Sequence, residues 1–394
     1  KFFMINHYKF SSNLTITLVV SFVFFLSSCS SMSSIKFWEN DEIDLEKPMR
    51  LININDKRDI KLNWSQIFSG NNDLGNFKPS FSSDSIYFAD SSGSVKSIDI
   101  ASGNVNWIKQ FKSLASGTAS GFGISVISDV DGNVIALNQN DGSVIWSKNI
   151  QGEVLSQSVI NAKSVFVKTG SGELISLDKN TGEILWSYRA KLPTLTIKGS
   201  SSPVIDGDII YATFDSGRLV AFDIDTGYPI WDGAISYAEG ISELENIIDS
   251  DSNPYIEGGL IYTTNYQGNL NIFDIAQRRS VWQTELSSFY SPIISKGLIV
   301  VIDADSQIKS FSSKNLQESW RTDSYLNRNL SNPISYEGFI LVGDFEGYVH
   351  IINPINGTTV GRKKISGKPI KNIISRSKNI YVVDESFKLF SLSM

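Results

Sequence analysis

The sequence has very little cysteine and histidine. Its single cysteine, Cys29, excludes an internal disulfide. The two histidines, His7 and His350, are too few for a histidine-rich zinc site and give little basis for a Ser-His-Asp triad. His350 follows Val349 in strand-like sequence, where an isolated polar residue is usually structural. The sequence therefore predicts no catalytic residue, no metal site and no bound cofactor.

Charge is also sparse, and basic charge is the scarcer sign. Only 19% of residues are charged, and the formal net charge is -6. Nucleic-acid binding needs clustered lysine and arginine that displace phosphate counterions, so an acidic chain is a poor candidate for it. The hydrophobic fraction of 41% is enough for a sizeable core, which argues for a folded chain.

No apolar run is long enough to span a bilayer comfortably. The longest, Leu14 to Leu26, follows a basic start and precedes small residues, which is the layout of a secretory signal over residues 1–28. Leu26-Ser27-Ser28-Cys29 resembles the lipobox of bacterial lipoproteins. That resemblance implies cleavage before Cys29 and acylation of its side chain and amino group, which gives a stable anchor. The alternative is an ordinary cleaved signal with a chance cysteine.

The residues after Cys29 suggest a location and a tether. Ser30 stands where an aspartate would resemble the inner-membrane retention signal, so the resemblance favours the periplasmic face of the outer membrane. Residues 29–60 show no sustained period, and we interpret them as the lipidated cysteine and a tether.

One unit recurs along the rest of the chain. Three clear copies are SIYFADSSGSVKSIDIASGNVNW, ISVISDVDGNVIALNQNDGSVIW and SVFVKTGSGELISLDKNTGEILW. Each copy has an apolar strand, a glycine turn, an alternating strand, a second turn and a strand that ends in tryptophan. The closing residues are spaced by 43, 39, 40, 45, 51, 38 and 41 and are Trp64, Trp107, Trp146, Trp186, Trp231, Trp282, Trp320 and Gly361. A period near forty with four strands per unit is typical of a β-propeller.

The two ends of the repeat region complement one another. Trp64 has no complete repeat before it, and the carboxyl-terminal residues 379–394 stop after the first strands of a repeat. We expect the two ends to share one blade, which removes exposed sheet edges. Residues 61–394 are therefore predicted to form an all-β fold, an eight-bladed β-propeller of four-stranded antiparallel blades.

The turns before the tryptophans support this prediction. Asp178-x-x-Thr181-Gly182 and Asp223-x-x-Thr226-Gly227 place an aspartate that can bond its own backbone before a glycine that tolerates positive φ. The unit D-x-x-T-G-x-x-x-W resembles the tryptophan-docking repeat of pyrroloquinoline-quinone enzymes. It is similar also to BamB, the lipoprotein subunit family of the outer-membrane β-barrel assembly machinery. The lipobox, the length and two long insertions favour BamB.

The insertions follow Trp186 and Trp231. Each joins the outer strand of one blade to the inner strand of the next, so we expect both on one face. By position, LPTLTIKG matches a Leu-x-Leu-Arg-Gly stretch of the BamB family, and DSDSNP matches an Asp-x-Asp-x-x-Pro stretch. The resemblance implies that these loops bind the periplasmic (POTRA) domains of the barrel-inserting subunit BamA. The candidate partner-binding residues are Leu195, Ile197, Lys198, Glu243, Asp249 and Asp251.

Three functions remain open on the sequence alone. The first is a non-catalytic lipoprotein scaffold that binds BamA and assists the insertion of unfolded outer-membrane proteins, its possible clients. The second is a quinone-dependent dehydrogenase, which would need a calcium and, in the larger family members, a cysteine pair above the cofactor. The third is a propeller lipoprotein with another envelope partner, for which the two loops could be ordinary solvated surface.

Overall fold

The strands follow one another in the order that the repeat predicts. The computed structural model describes residues 47–54, 58–70, 75–193, 199–235 and 252–394. Within these ranges it places thirty-two strands in eight four-stranded antiparallel sheets. Each sheet is one blade, which confirms the eight-bladed β-propeller. Among the residues described, no helix is long and apolar enough to cross a membrane.

Blades 1 to 4 each consist of four consecutive strands, ordered from the axis outward. Blade 1 contains β2 (Ser80–Phe81), β3 (Ser85–Ala89), β4 (Ser94–Asp99) and β5 (Val105–Gln110). Blade 2 contains β6 (Ala119–Gly121), β7 (Ile124–Ser128), β8 (Asn133–Asn138) and β9 (Val144–Asn149). Blade 3 contains β10 (Val159–Ile160), β11 (Ser164–Lys168), β12 (Glu173–Asp178) and β13 (Ile184–Arg189). Blade 4 contains β14 (Val204–Asp206), β15 (Ile209–Phe214), β16 (Arg218–Asp223) and β17 (Pro229–Ala234).

Blades 5 to 7 repeat this order, and blade 8 takes its outer strand from the other end of the chain. Blade 5 contains β18 (Tyr255–Glu257), β19 (Leu260–Thr263), β20 (Asn269–Asp274) and β21 (Arg279–Glu285). Blade 6 contains β22 (Ile293–Ser295), β23 (Leu298–Ile302), β24 (Ile308–Ser312) and β25 (Glu318–Thr322). Blade 7 contains β26 (Ile334–Tyr336), β27 (Phe339–Gly343), β28 (Tyr348–Ile352) and β29 (Thr359–Lys364). Blade 8 contains β30 (Ile370–Arg376), β31 (Asn379–Asp384), β32 (Leu389–Ser393) and β1 (Lys61–Gln66).

Blade 8 closes the ring as the two ends of the repeat predict. The outer strand β1 pairs antiparallel with β32, with Lys61 opposite Ser393 and Trp64 opposite Ser391. The middle strands of every blade are buried on both faces because neighbouring blades cover them. The core is thus a ring of apolar layers between blades rather than one central mass.

The closing tryptophans pack between neighbouring blades. Trp146 of blade 2 lies against Gly182 in the outer turn of blade 3, and its indole N–H donates to the Lys179 carbonyl at 2.8 Å. Trp107 makes the same hydrogen bond to the Gln139 carbonyl at 2.9 Å. Trp186 and Trp320 donate likewise to the Ile224 and Pro354 carbonyls, so these four tryptophans are both packed and hydrogen-bonded between blades.

Part of the segment that precedes β1 lies against blade 7. The Met49 amide donates to the Leu326 carbonyl at 2.9 Å, and the Arg328 guanidinium donates to the Met49 carbonyl at 2.8 Å. Arg362 donates to the Ile52 carbonyl at 2.6 Å. These contacts fall within residues 29–60, which the sequence predicts to be a tether. They use main-chain carbonyl and amide groups, so they produce no hydrophobic periodicity in the sequence.

A buried ionic cluster lies beneath this segment. Arg328 donates twice to Oδ2 of Asp344, at 3.0 and 2.6 Å, and Nε2 of His350 lies 2.9 Å from the same oxygen. Burial opposes ionisation of Asp344, but the hydrogen bonds from His350 and Arg328 hold its pKa below the usual range. Burial lowers the pKa of His350, even though the Asp344 carboxylate favours the protonated ring. His350 is a core residue, as its sequence context indicates.

Candidate partner-binding surface

The residues predicted to bind a partner lie outside the described residues. Leu195, Ile197 and Lys198 fall in the gap at 194–198, and Glu243, Asp249 and Asp251 fall in the gap at 236–251. The acylation candidate Cys29 falls in the first gap, at 1–46. What the structure describes is the base from which each insertion leaves and to which it returns.

The first insertion connects two neighbouring blades. It leaves after β13, where the Ala190 amide donates to the Gly172 carbonyl at 2.9 Å and Leu192 packs over Gly172. It returns at Gly199 to Pro203, immediately before β14, and residues 201 to 203 are buried. Both ends are therefore fixed to the propeller by main-chain bonds or burial.

The second insertion is fixed in the same way, one blade further on. The Ile235 amide donates to the Gly217 carbonyl at 2.8 Å, and the Ile235 carbonyl accepts from Asn271. The chain returns at Ser252 and Asn253, before β18. Because both insertions join an outer strand to the next inner strand, their bases lie on the same face of blades 3, 4 and 5.

The two returning ends are bonded to one another. The Ser202 amide donates to Oδ1 of Asn253 at 2.6 Å. The Thr213 hydroxyl lies 3.0 Å from the Ser201 hydroxyl and 3.4 Å from the Ser252 carbonyl. The two returning ends are thus joined by one direct hydrogen bond and share Thr213 as a common neighbour.

A buried lysine supports this junction from below. Lys168, at the end of β11, is 4% exposed, and its ammonium donates to the Thr213 carbonyl at 3.0 Å and to the Ser201 hydroxyl. It also lies 6.0 Å from the ring centre of Phe214, within reach of a cation–π interaction. A buried charge needs such partners, so Lys168 holds these groups in one arrangement.

A buried aspartate holds the first insertion at its last residue. Asp215 is 5% exposed and accepts the Gly199 amide at 3.0 Å. A Cβ atom on Gly199 would collide with the Asp215 carboxylate, so the close approach requires glycine there. This contact fixes the direction in which the insertion enters blade 4.

Sequence reasoning did not identify Lys168 or Asp215, although both interrupt the repeat. In the other seven blades a polar residue opens the turn between the second and third strands: Asp90, Asp129, Thr169, Asn265, Asp303, Asp344 and Asp384. Blade 4 has Phe214 at this position, and its aspartate is displaced to Asp215. Comparison of the repeats at this turn was the signal that could have found the base of the loops.

The described rim around the loop bases carries paired charges. Arg189 lies 2.7 Å from Glu173, and Arg218 pairs with Asp232. These pairs are largely exposed, so each contributes at most about 1 kcal/mol to stability. In the described part of the chain, no group of three histidine, cysteine or acidic residues could hold a metal ion.

The fold and the two adjoining loop bases define a closed tryptophan-repeat propeller with two long insertions on one face. A family model described as "Outer membrane protein assembly factor BamB" matches residues 91–322. The protein of that name from Escherichia coli strain K12 is 30% identical over 354 residues, which cover 86% of this chain and 88% of that protein. The chain belongs to the BamB family.

Solved structures agree with the fold. The crystal structure of BamB from Moraxella catarrhalis matches with a TM-score of 0.79 and 24% identity, covering 85% of this chain and 100% of that one. The quinohemoprotein alcohol dehydrogenase from Comamonas testosteroni matches with a TM-score of 0.67 and 12% identity, covering 85% of this chain and 76% of that one. At these identities the likenesses show the propeller fold alone.

Proposed function

We propose that this chain is a non-catalytic scaffold that assists the assembly of β-barrel proteins in the outer membrane. Membership of the BamB family supports this function, because the relatives are named as outer membrane protein assembly factors. The quinone-dependent alternative draws support from the propeller fold alone. Unfolded outer-membrane proteins are the proposed clients.

One observation carries the proposal for the binding face. The Ser202 amide and the Asn253 side chain join the returning ends of the two insertions at 2.6 Å. Two long loops that share one base can form a single patch, which is what docking of a folded domain requires. The buried Lys168 beneath the junction makes this base rigid before a partner arrives.

The proposed partner is the periplasmic POTRA region of a BamA protein. Leu195 and Ile197 would supply an apolar anchor and Lys198 a neighbouring cation. Glu243, Asp249 and Asp251 would supply acceptors for basic or amide groups of the partner. Lysine is a point charge, so we expect a single hydrogen bond at Lys198 rather than the paired bonds of arginine.

The proposed location follows from the amino-terminal sequence. Acylation at Cys29 would tether the propeller to the periplasmic face of the outer membrane. The tether would hold the scaffold beside a membrane-embedded partner and raise its effective concentration there. Labelling with a radioactive or alkyne-bearing palmitate tests this step, and loss of the label in Cys29→Ser is the expected result.

A binding experiment tests the partner assignment. The purified chain is titrated with the POTRA region of BamA from the same organism, and Kd is measured by biolayer interferometry. Leu195→Ala with Ile197→Ala, and separately Asp249→Asn with Asp251→Asn, should each weaken binding at least tenfold. Truncating interface anchors commonly costs about 2 kcal/mol or more, which exceeds a tenfold change.

The matched control is an apolar residue on a different blade. Ile145→Ala removes a side chain that is 44% exposed on β9, and it should leave Kd unchanged. Equal weakening by Ile145→Ala would show that the loops are not the site. A parent chain that folds but does not bind the POTRA region would overturn the partner assignment.

A further inference from the structure

A cavity of about 270 Å³ lies at the propeller axis. Its wall comes from the segments that lead into the inner strands of several blades, including Asn76 and Lys78 before β2, Asn253 before β18 and Asn332 before β26. Ligand sites in proteins are commonly concave and slightly larger than this, so the volume suits a small molecule.

Lys78 is the one cation among the described residues of the cavity wall, and no carboxylate stands beside it there. In the part of the chain that the structure describes, its ammonium makes no hydrogen bond or ion pair, and loss of hydration lowers its pKa. Lys78 keeps some solvent-accessible surface although its amine is surrounded by protein, so that surface faces the cavity. An unpaired amine in such a place is costly unless a ligand completes it.

The amides around Lys78 fall into two groups. Both the nitrogen and the oxygen of the Asn332 amide are hydrogen-bonded, because the side chain donates to the Ile373 carbonyl at 2.8 Å and accepts the Ile373 amide at 3.1 Å. Asn253 uses its oxygen on Ser202, and its NH₂ group bonds no other described residue. The Asn76 side chain likewise bonds none of the described groups. Two amide donors therefore remain in the cavity wall that Lys78 also lines.

We infer that this axial cavity binds a small carboxylate anion, which Lys78 neutralises and Asn76 and Asn253 hold through their amide NH₂ groups. One lysine balances one negative charge, whereas a phosphate group carries about 1.5 to 2 charges at pH 7. Pro292, Ile293 and Pro333 add apolar wall that suits a short hydrocarbon body. The cavity adjoins the proposed binding face, because Asn253 also accepts the Ser202 amide where the returning ends of the two insertions meet.

The pH dependence follows from the groups that face the cavity. Carboxylate binding requires the protonated amine, so affinity falls as pH rises through the lowered pKa of Lys78. The other titratable wall groups are Tyr255 and Tyr290, and the Tyr255 hydroxyl donates to Glu257. Burial raises the pKa of Tyr255, so it stays neutral across the range tested. Next to the wall residue Asn372, Lys371 forms an ion pair with Glu385 at 3.4 Å, and neither of these two residues lines the cavity.

Calorimetric titration of the purified chain with butyrate, at a series of pH values from 6.5 to 10, tests the site. Saturable one-to-one binding that weakens as pH rises is expected. Lys78→Gln should weaken it at least tenfold and remove the pH dependence, whereas Lys314→Gln, an exposed lysine on blade 6, should change neither. Asn76→Asp is a second variant that keeps Lys78, and its added negative charge should also weaken binding.

Further ligands separate the sources of the carboxylate. N-acetyl-leucine that binds more tightly than butyrate would identify a polypeptide carboxyl terminus as the source, and the reverse order would identify a free acid. Either order supports a carboxylate site. Inorganic phosphate that binds more tightly than both acids would overturn it, as would a folded parent chain without saturable binding or a Lys78→Gln variant with parental affinity.

Discussion

The glycine in the outer turn of a blade meets two requirements at once. Gly182 has φ of 74°, which other residues adopt only with strain, and its open face receives the Trp146 ring from blade 2. Gly207, in the first turn of blade 4, shares the positive φ of 59° but has no atom within 4 Å of a Cβ position. Substitution of Gly207 therefore measures backbone strain alone, whereas substitution of Gly182 measures strain together with the loss of tryptophan packing.

Gly182→Ala should destabilise the propeller more than Gly207→Ala. Left-handed strain costs about 1 to 2 kcal/mol at either position, and overpacking against Trp146 adds about 1 to 3 kcal/mol at Gly182 alone. Urea unfolding followed by tryptophan fluorescence measures both. Equal losses in the two variants would show that the turn glycine serves backbone conformation only.

His350 predicts how stability changes with pH. Its pKa is lowered in the fold because the ring is buried, so below about pH 6.5 the unfolded chain takes up a proton that the folded chain does not. The contribution of His350 to the free energy of unfolding is therefore fully present above that pH and is lost as pH falls towards the folded pKa. The pKa of Asp344 is also lowered in the fold. Its protonation therefore causes a second loss of stability, but only in the acid range below the usual pKa of aspartate.

His350→Gln should flatten the unfolding free energy between pH 7.5 and 5.5. Glutamine can still donate to Asp344 but does not titrate, so overall stability falls while the slope disappears. Urea unfolding at four pH values gives the slope for the parent and the variant. A slope that persists unchanged in the variant would assign the pH dependence to another group.

At the scale of the element, the turn that opens blade 4 determines how the first insertion is held. Asp215 and Asp90 both accept a connecting-segment amide, from Gly199 at 3.0 Å and from Ser69 at 2.9 Å. Both aspartates are buried, but only Asp215 lies at the proposed binding face. Asp90 also accepts from Ser92 and Ser94, and it serves as a control for loss of stability away from the binding face.

Asp215→Asn and Asp90→Asn should each cost about 1 to 3 kcal/mol, because each leaves an amide N–H without its charged acceptor. Only Asp215→Asn should weaken binding to the POTRA region, and we expect about a tenfold rise in Kd. Biolayer interferometry at a temperature where both variants are folded makes the comparison. Equal Kd values for the two variants would remove Asp215 from the support of the binding face.

The blades were predictable from the sequence and the loop base was not. Local signals specify the blades, because the glycine turns, alternating strands and closing tryptophans recur at one period. Most blades also pair only strands that are consecutive in the sequence. Lys168 of blade 3 reaches partners that lie more than thirty residues further along the chain, and Asp215 accepts an amide sixteen residues before it. Their trace in the sequence is an interruption of the repeat at this turn, which does not show which residues they contact.

The axial cavity was missed for a related reason. The structure places Pro292 and Pro333, which precede the inner strands of blades 6 and 7, in the cavity wall. The sequence did not indicate that Lys78 would lack a partner there. That property depends on what five other blades contribute, and only the closed ring brings those residues together.

At the scale of the whole molecule, one sheet joins the two ends of the propeller. Strands β1 and β32 pair through Lys61 opposite Ser393, and the Ser393 hydroxyl lies 3.1 Å from Oδ1 of Asn63. All other blades are built from consecutive strands, so their pairing is local. Opening the ring requires only that this one ladder separates, which exposes the edges of two strands.

A disulfide across this ladder should stabilise the molecule more than a disulfide inside a blade. Lys61→Cys with Ser393→Cys closes a loop that contains almost the whole propeller, for which chain entropy predicts about 5 to 6 kcal/mol. Asn133→Cys with Asn149→Cys links facing residues of β8 and β9 and closes a short loop, for which about 3 kcal/mol is expected. Both pairs are made in a Cys29→Ser background, and unfolding is compared with and without reductant. If the blade 2 disulfide stabilises as much as the closing one, the β1–β32 ladder is not the point at which the ring opens.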